Sequence, residues 1–235
     1  MIKHYLYENF GRLELSWLDA RYHFSFAGYH NRNRMGFGPL RVINDDIVKA
    51  GAGFDTHPHK DMEIITYVRK GAITHRDSQG NQGCTQAGNV QVMSAGTGIF
   101  HSEFNLENED TNLYQIWIHP RKKGLEPAWD AREFPQTPVK TSLTLLVSGR
   151  AQDKEAGALY INQDAAIYGG RLAAGVELQH LIHAQAYLLV SEGQVDVDNI
   201  IMNKGDGAEI TGVDTITIKA IEASEVVVID VPQAH

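Results

Sequence analysis

The chain has one cysteine, Cys84, in 235 residues. That excludes an intrachain disulfide and fits a reducing cytosol. It has no run of eighteen or more apolar residues, so nothing in it reads as a membrane span. Its start, Met1-Ile2-Lys3-His4-Tyr5, lacks the apolar stretch of a secretory signal, and a cytoplasmic location is expected. Basic residues are in the minority, 21 against 29 acidic ones, for a net charge of −8. An acidic balance of this size argues against a nucleic-acid surface or an anionic-membrane binder. No long stretch shows helical periodicity either.

In place of helices there are short β-type runs separated by glycine-rich turns. Glu63–Val68, Val90–Met93, Leu113–Ile118, Leu143–Val147, Ala186–Val190, Val195–Val197, Thr215–Ile218 and Val226–Val231 are predicted strands. Ser78-Gln79-Gly80-Asn81, Gly96-Thr97-Gly98 and Asn203-Lys204-Gly205-Asp206-Gly207 punctuate them. Many short strands at close spacing predict an all-β sandwich or barrel. The segment from His119 to Thr141 holds four prolines and reads as a crossover between two units, 1–135 and 136–235. The chain is long enough for two such units with adequate cores.

The chemistry concentrates in His57-Pro58-His59 and His101-Ser102-Glu103. Residues i and i+2 of a strand point to one face, so each triplet presents two polar groups side by side. If two such strands face each other, three imidazoles and one carboxylate converge. That set suits a divalent first-row metal with coordination positions left open. One His-x-His is weak by itself: eleven histidines in this length give roughly half of one such pair by chance. Glu63 is an even number of residues from His59. It would share that face if the strand were continuous, so it is open as a ligand.

The flanking residues narrow the reading. Gly51, His57-Pro58-His59, Glu63 and Gly71 are followed by Gly88 and by Met93-Ser94-Ala95-Gly96-Thr97-Gly98-Ile99-Phe100-His101. This resembles the two-part cupin signature, with Ser94 where a proline is usual, His101 two residues late, and one extra residue between Glu63 and Gly71. The stretches THPHKDMEIITY and MSAGTGIFHSE, with FSFAGY and MGFGPLRVINDD upstream, resemble the pirin branch of that family over most of the first 135 residues. The resemblance implies an all-β bicupin, two stacked antiparallel barrels. It implies one divalent metal per chain at His57, His59, His101 and Glu103, with iron(II) expected and copper, nickel, cobalt, manganese or zinc as alternatives. In that pattern the carboxylate ligand is Glu103, which leaves Glu63 to orient an imidazole.

Bacterial pirins include quercetin 2,3-dioxygenases, which open the central ring of a flavonol with O2 and release carbon monoxide. The activity implied here is therefore oxidation of a small aromatic substrate, with Glu103 also the general base for the substrate hydroxyl. The alternative the same resemblance carries is an iron-dependent transcription co-regulator that binds a protein partner without turnover.

Other groups have plainer readings. Phe24, Phe26, Phe37 and Tyr114 are core residues by default, although an apolar pocket beside the metal needs some of them. Asn44-Asp45-Asp46 reads as a turn, and His30, His75 and His119 receive no role. In the second half His180 and His183 are three apart, on opposite faces of a strand. Ile218, thirteen residues past Gly205 as His101 is past Gly88, is the expected counterpart of His101. The second barrel is expected to be metal-free.

Overall fold

Several strands of this protein are buried along most of their length rather than at alternate positions. From Glu63 to Val68 every residue of the strand Glu63–Lys70 is buried, and Ser224–Val231 is buried throughout. A strand of this kind needs a core on both of its faces. The computed structural model, which describes residues 1–233, shows where the two cores are.

Each half of the chain is a pair of facing sheets, one seven-stranded and one four-stranded. In the first half the larger sheet runs, in spatial order, Ala128–Arg132, Val90–Ser94, Glu63–Lys70, Thr111–Ile118, Leu40–Val48, Leu18–Tyr22 and Gly11–Glu14. The smaller runs Gly53–His59, Ile99–Phe104, Ala72–Asp77 and Gln82–Gln86. The second half repeats the plan. Its larger sheet centres on Gln185–Glu192 and Ser224–Val231, and its smaller one contains Glu177–Leu181, Thr215–Ala220, Gln194–Val197 and Ile200–Asn203. No α-helix occurs among the described residues, and no helix is long and apolar enough to cross a membrane.

The two seven-stranded sheets pack back to back. Ile65, Tyr67, Tyr114, Ile116 and Ile118 of one meet Ile167, Tyr187, Leu189, Val227 and Ile229 of the other in a single buried cluster. The residues between them in sequence point the other way, into their own half, as a period of two requires. Ile64 packs with Met93 and Ile99, and Leu113 with Val68 and Ile73. This double burial accounts for the unbroken apolar runs.

The expected division at residue 135 is crossed at the N-terminus. Ile2–Tyr5 pairs antiparallel with Gly207–Thr211 and so completes the sheet of the second half. The proline-rich crossover also contributes a strand, Ala128–Arg132, to the edge of the first sheet.

The interiors of the two halves differ, and this decides where chemistry can occur. The second is filled by aliphatic side chains such as Leu178, Leu188, Val195, Met202, Ile216, Ile218 and Val228. In the first, the apolar packing breaks into small separate clusters. Among them Asn44, Asp46, Thr66, Gln91, Glu103 and Gln115 are buried. Asn44-Asp45-Asp46 is therefore not a turn but the middle of the strand Leu40–Val48. Its alternation sends Asn44 and Asp46 inward. Asp45 faces the other half's side, where it pairs with Arg69.

Candidate metal centre

His57 and His59 lie on the strand Gly53–His59, and His101 on its antiparallel neighbour Ile99–Phe104, directly opposite His57. The two strands thus lie side by side, with Ile99 opposite His59 and Glu103 opposite Phe54. Nitrogen atoms of the three imidazoles all lie within 4.8 Å of one another. Their ring centroids are 4.5, 4.8 and 5.0 Å apart.

Hydrogen bonding fixes which nitrogen of each ring is free. The Nδ1 of His57 is 2.6 Å from the backbone carbonyl of Asp55. A carbonyl only accepts, so Nδ1 carries the proton and Nε2 keeps its lone pair. That Nε2 lies 3.1 Å from the Nε2 of His101, and the Nε2 of His59 is buried with no partner. Burial, helped by His57, lowers the pKa of His59 to about 4. Burial with His57, His59 and His75 takes His101 down to about 2. His59 and His101 are therefore neutral at pH 7, the form that ligates. The Nε2 atoms of His57 and His59 converge on a space where a cation would take up their lone pairs. A nitrogen pair about 3 Å apart also matches two cis ligands at about 2.1 Å from one ion. The residues fit a divalent transition metal.

Glu103 is not among the groups whose ligand atoms come together. Its side chain points into the same interior, but three neighbours hold it. Thr66 Oγ1 (3.0 Å) and Gln91 Nε2 (2.6 Å) donate to Oε1, and Gln115 Nε2 donates to Oε2. A register shift between His101 and Glu103 separates the two on their shared strand. Burial pushes the Glu103 carboxyl up to about 7, against the lowering effect of those three donors.

Glu63 stands elsewhere. Asp61, with φ of 49°, turns the chain between His59 and Glu63, so the even spacing does not carry across a continuous strand. Glu63 shares the parity of Ile65 and Tyr67. It faces the second half, accepting hydrogen bonds from Ser94 Oγ at 2.6 Å and Asn162 Nδ2 at 3.3 Å. No imidazole is oriented by it. Glu63→Gln is accordingly expected to leave metal affinity within about threefold of wild type. A tenfold or greater loss in a metal titration, the effect of disturbing a ligand's support, would return Glu63 to the site.

Beside the histidines lies a cavity of about 600 Å³ whose walls include Trp17, Phe26, Ile64, Phe54, Phe104 and Trp117. Of the four aromatics singled out in the sequence only Phe26 lines it. Phe24 and Tyr114 belong to the core between the halves, with Phe37 packed against it. The cavity floor is polar: Asn44 Oδ1, Asp46 Oδ1 and Gln115 Oε1 are buried without partners. Burial, with Asp45 and Glu103 nearby, holds the Asp46 carboxyl well above its usual range.

The second half shows what the first would be without this set. Counting from the turn glycines Gly71 and Gly193, Ile218 faces Val197 as Glu103 faces His75. The counterpart of His101 is then Ile216 rather than Ile218. His180, paired with Ile216, occupies the place of His57. A single imidazole remains in that place, with the Tyr168 ring edge-on against it.

Fold and site together define a class: two cupin-type β-sandwiches back to back, with a histidine cluster that can hold a metal in the first. The pirin family model matches residues 4–118, and that of the quercetinase C-terminal cupin domain matches residues 145–231. The chain belongs to the pirin family. It is 43% identical to the quercetin 2,3-dioxygenase of Escherichia coli over 225 residues, 94% of this chain and 95% of that one. It is 45% identical to a pirin-like protein of Caulobacter vibrioides, covering 98% and 99% of the two chains. The crystal structure of the E. coli pirin YhhW in complex with nickel(II) superimposes with a TM-score of 0.91 at 40% identity, covering 99% of this chain and 100% of that one.

Proposed function

We propose that this protein is a metal-dependent dioxygenase that opens flavonols such as quercetin with O2 and releases carbon monoxide. Iron(II) is its expected ion and His57, His59, His101 and Glu103 are its ligands. The metal-binding unit is residues 1–135, apart from the strand it lends, and residues 136–235 form a buttress. The lone thiol Cys84 suits a reducing cytoplasm as the working compartment.

One observation carries the reading: the histidine cluster opens onto an aromatic-walled cavity with unpaired acceptors at its floor. A flat polyphenol suits the walls, and its hydroxyls are the donors that the floor lacks. Related proteins named quercetin 2,3-dioxygenase support the same substrate class. A divalent transition ion held here would polarise a substrate oxyanion and pass electrons toward dioxygen.

The chain's own groups do the rest. Aromatic walls exclude water and hold the ring system against the histidines. Glu103 is poised as general base, because a carboxyl near pH 7 both takes and returns a proton readily. Its Oε1 already accepts two hydrogen bonds and Oε2 one. The one free lone pair on Oε2 thus serves both roles in turn, ligand in the resting site and acceptor for the flavonol hydroxyl proton once substrate enters.

Oxygen uptake by protein loaded with iron(II), nickel(II) or cobalt(II), against a small panel of flavonols, tests this. Flavonol-dependent uptake with carbon monoxide release is the expected result. No uptake with any flavonol and any of these ions would overturn it in favour of a role without turnover.

A further inference from the structure

His75 has no sequence motif, yet it is fully buried and touches the site. Its Nδ1 lies 3.4 Å from the Nδ1 of His101, and its Nε2 lies 3.0 Å from Oδ2 of Asp77. Both side chains of the His75–Asp77 pair are inaccessible to solvent. Burial alone would raise Asp77, but hydrogen bonds from His75, Asn81 and Gln79 more than offset it and hold the carboxyl below its ordinary range. Asp77 is thus an anion, and an anion accepts only. The proton between it and His75 must therefore sit on His75 Nε2.

The protonation of the next link follows. Asp77 accepts the hydrogen bond from the Nε2 proton of this solvent-inaccessible ring, which leaves its Nδ1 lone pair as the acceptor. The nitrogen facing it, Nδ1 of His101, must then be the donor. His101 is left with its lone pair on Nε2, the atom that faces His57. The sequence of groups reads carboxylate, imidazole N–H, imidazole N–H, free nitrogen.

His75 is itself held in plane. The indole of Trp129 stacks on it with centroids 5.1 Å apart and planes 9° from parallel. Trp129 reaches that position because residue 83 is glycine: a Cβ there would come within 2.3 Å of the indole.

We propose that Asp77 and His75 are positioning residues for the metal centre, fixing His101 in the tautomer that presents Nε2 to a cation and lending that ligand negative charge through the His75 imidazole. The inference rests on the histidine cluster being a metal site. It extends to this chain the general rule that a ligating histidine's second nitrogen is tied to an outer acceptor. Here the acceptor is a second histidine rather than the carboxylate directly.

The test uses the full chain and cobalt(II) alone, which reports geometry through its visible d–d bands. His75→Phe keeps the ring stacked on Trp129 and removes the Nδ1 acceptor. It is expected to weaken cobalt binding by about 10- to 100-fold and to shift the d–d spectrum, with the thermal midpoint of the metal-free protein little changed. His75→Gln, which retains an acceptor oxygen, should recover part of the affinity. Asp77→Asn should weaken binding too, but Asp77 also accepts from the backbone of Gln79 and Asn81 in the hairpin turn, so His75→Phe decides.

A readout without metal separates this inference from the reading beneath it. In imidazole ¹⁵N spectra of the metal-free protein, His101 should be the Nδ1–H tautomer in wild type and a mixture in His75→Phe. Cobalt affinity within about threefold of wild type, or an unchanged His101 tautomer in the variant, would overturn the proposal. The expected tautomer difference between wild type and His75→Phe, together with no cobalt(II) binding by wild type, would overturn the metal reading alone.

Discussion

Replacing His57 and His101 together by alanine is expected to abolish stoichiometric metal binding and, with it, flavonol-dependent oxygen uptake. The two rings supply the facing nitrogens of the cluster, 3.1 Å apart, and His59 alone is left. The loss should exceed the 10- to 100-fold typical of residues that merely support a ligand. Thermal melts give a second measure. A metal at about 100 times its Kd stabilises a protein by roughly 2.7 kcal/mol. At about 2–4 °C per kcal/mol for a chain of this size, wild type should gain roughly 5–11 °C on metal addition and the double variant nothing. Metal analysis showing full occupancy in the variant would remove the site from these residues altogether.

Glu103→Gln carries the second large effect. Removal of a general base costs about 10²- to 10⁴-fold in turnover, while a neutral oxygen stays near the histidines and metal content should be largely kept. The variant also tests the burial of the carboxyl through pH. An unfolded Glu103 ionises from its ordinary value of 4.5, whereas the folded one keeps its proton to about pH 7. Between those values the folded state binds more protons, so the stability of metal-free wild type falls relative to the variant as pH rises. The relative loss should reach about 3 kcal/mol at 1.36 kcal/mol per unit and stop growing above pH 7. Urea denaturation of both proteins from pH 4.5 to 8 measures it. A stability difference that does not vary with pH would show the carboxylate to be ionised in the folded state and its fitness as a base to be misjudged. Turnover within a few-fold of wild type would remove Glu103 from the chemistry.

Two of the three cluster histidines, His57 and His59, were legible in the sequence as neighbours on one face because they are two apart, and a period of two survives wherever a strand is regular. They lie where that period puts them. Glu63 shows the limit of the same rule. Three residues of turn separate it from His59, and the φ of 49° at Asp61 resets the face. Asn44 and Asp46 look like turn residues by type. They are strand residues because their backbones pair with Thr111–Ile118 on one side and Leu18–Tyr22 on the other, while their side chains enter the cavity. His75 and Asp77 carry no spacing signal to His101. They lie 26 and 24 positions from it in sequence, and only the antiparallel pairing of Ala72–Asp77 with Ile99–Phe104 puts them alongside.

What the sequence determined by itself is the local part: strands and their faces, the all-β class, the three imidazoles and the acidic, single-thiol character of the chain. The tertiary structure decided everything that depends on which strand lies beside which. It placed the N-terminal strand in the second half's sheet and turned two seven-stranded sheets back to back. It also gave one interior aliphatic packing while leaving the other a polar cavity. The physical reason is that alternation along a strand sets only two directions, up and down. Whether a direction leads to core, cavity or partner sheet is settled by contacts between segments far apart in the chain, and no short-range pattern encodes them.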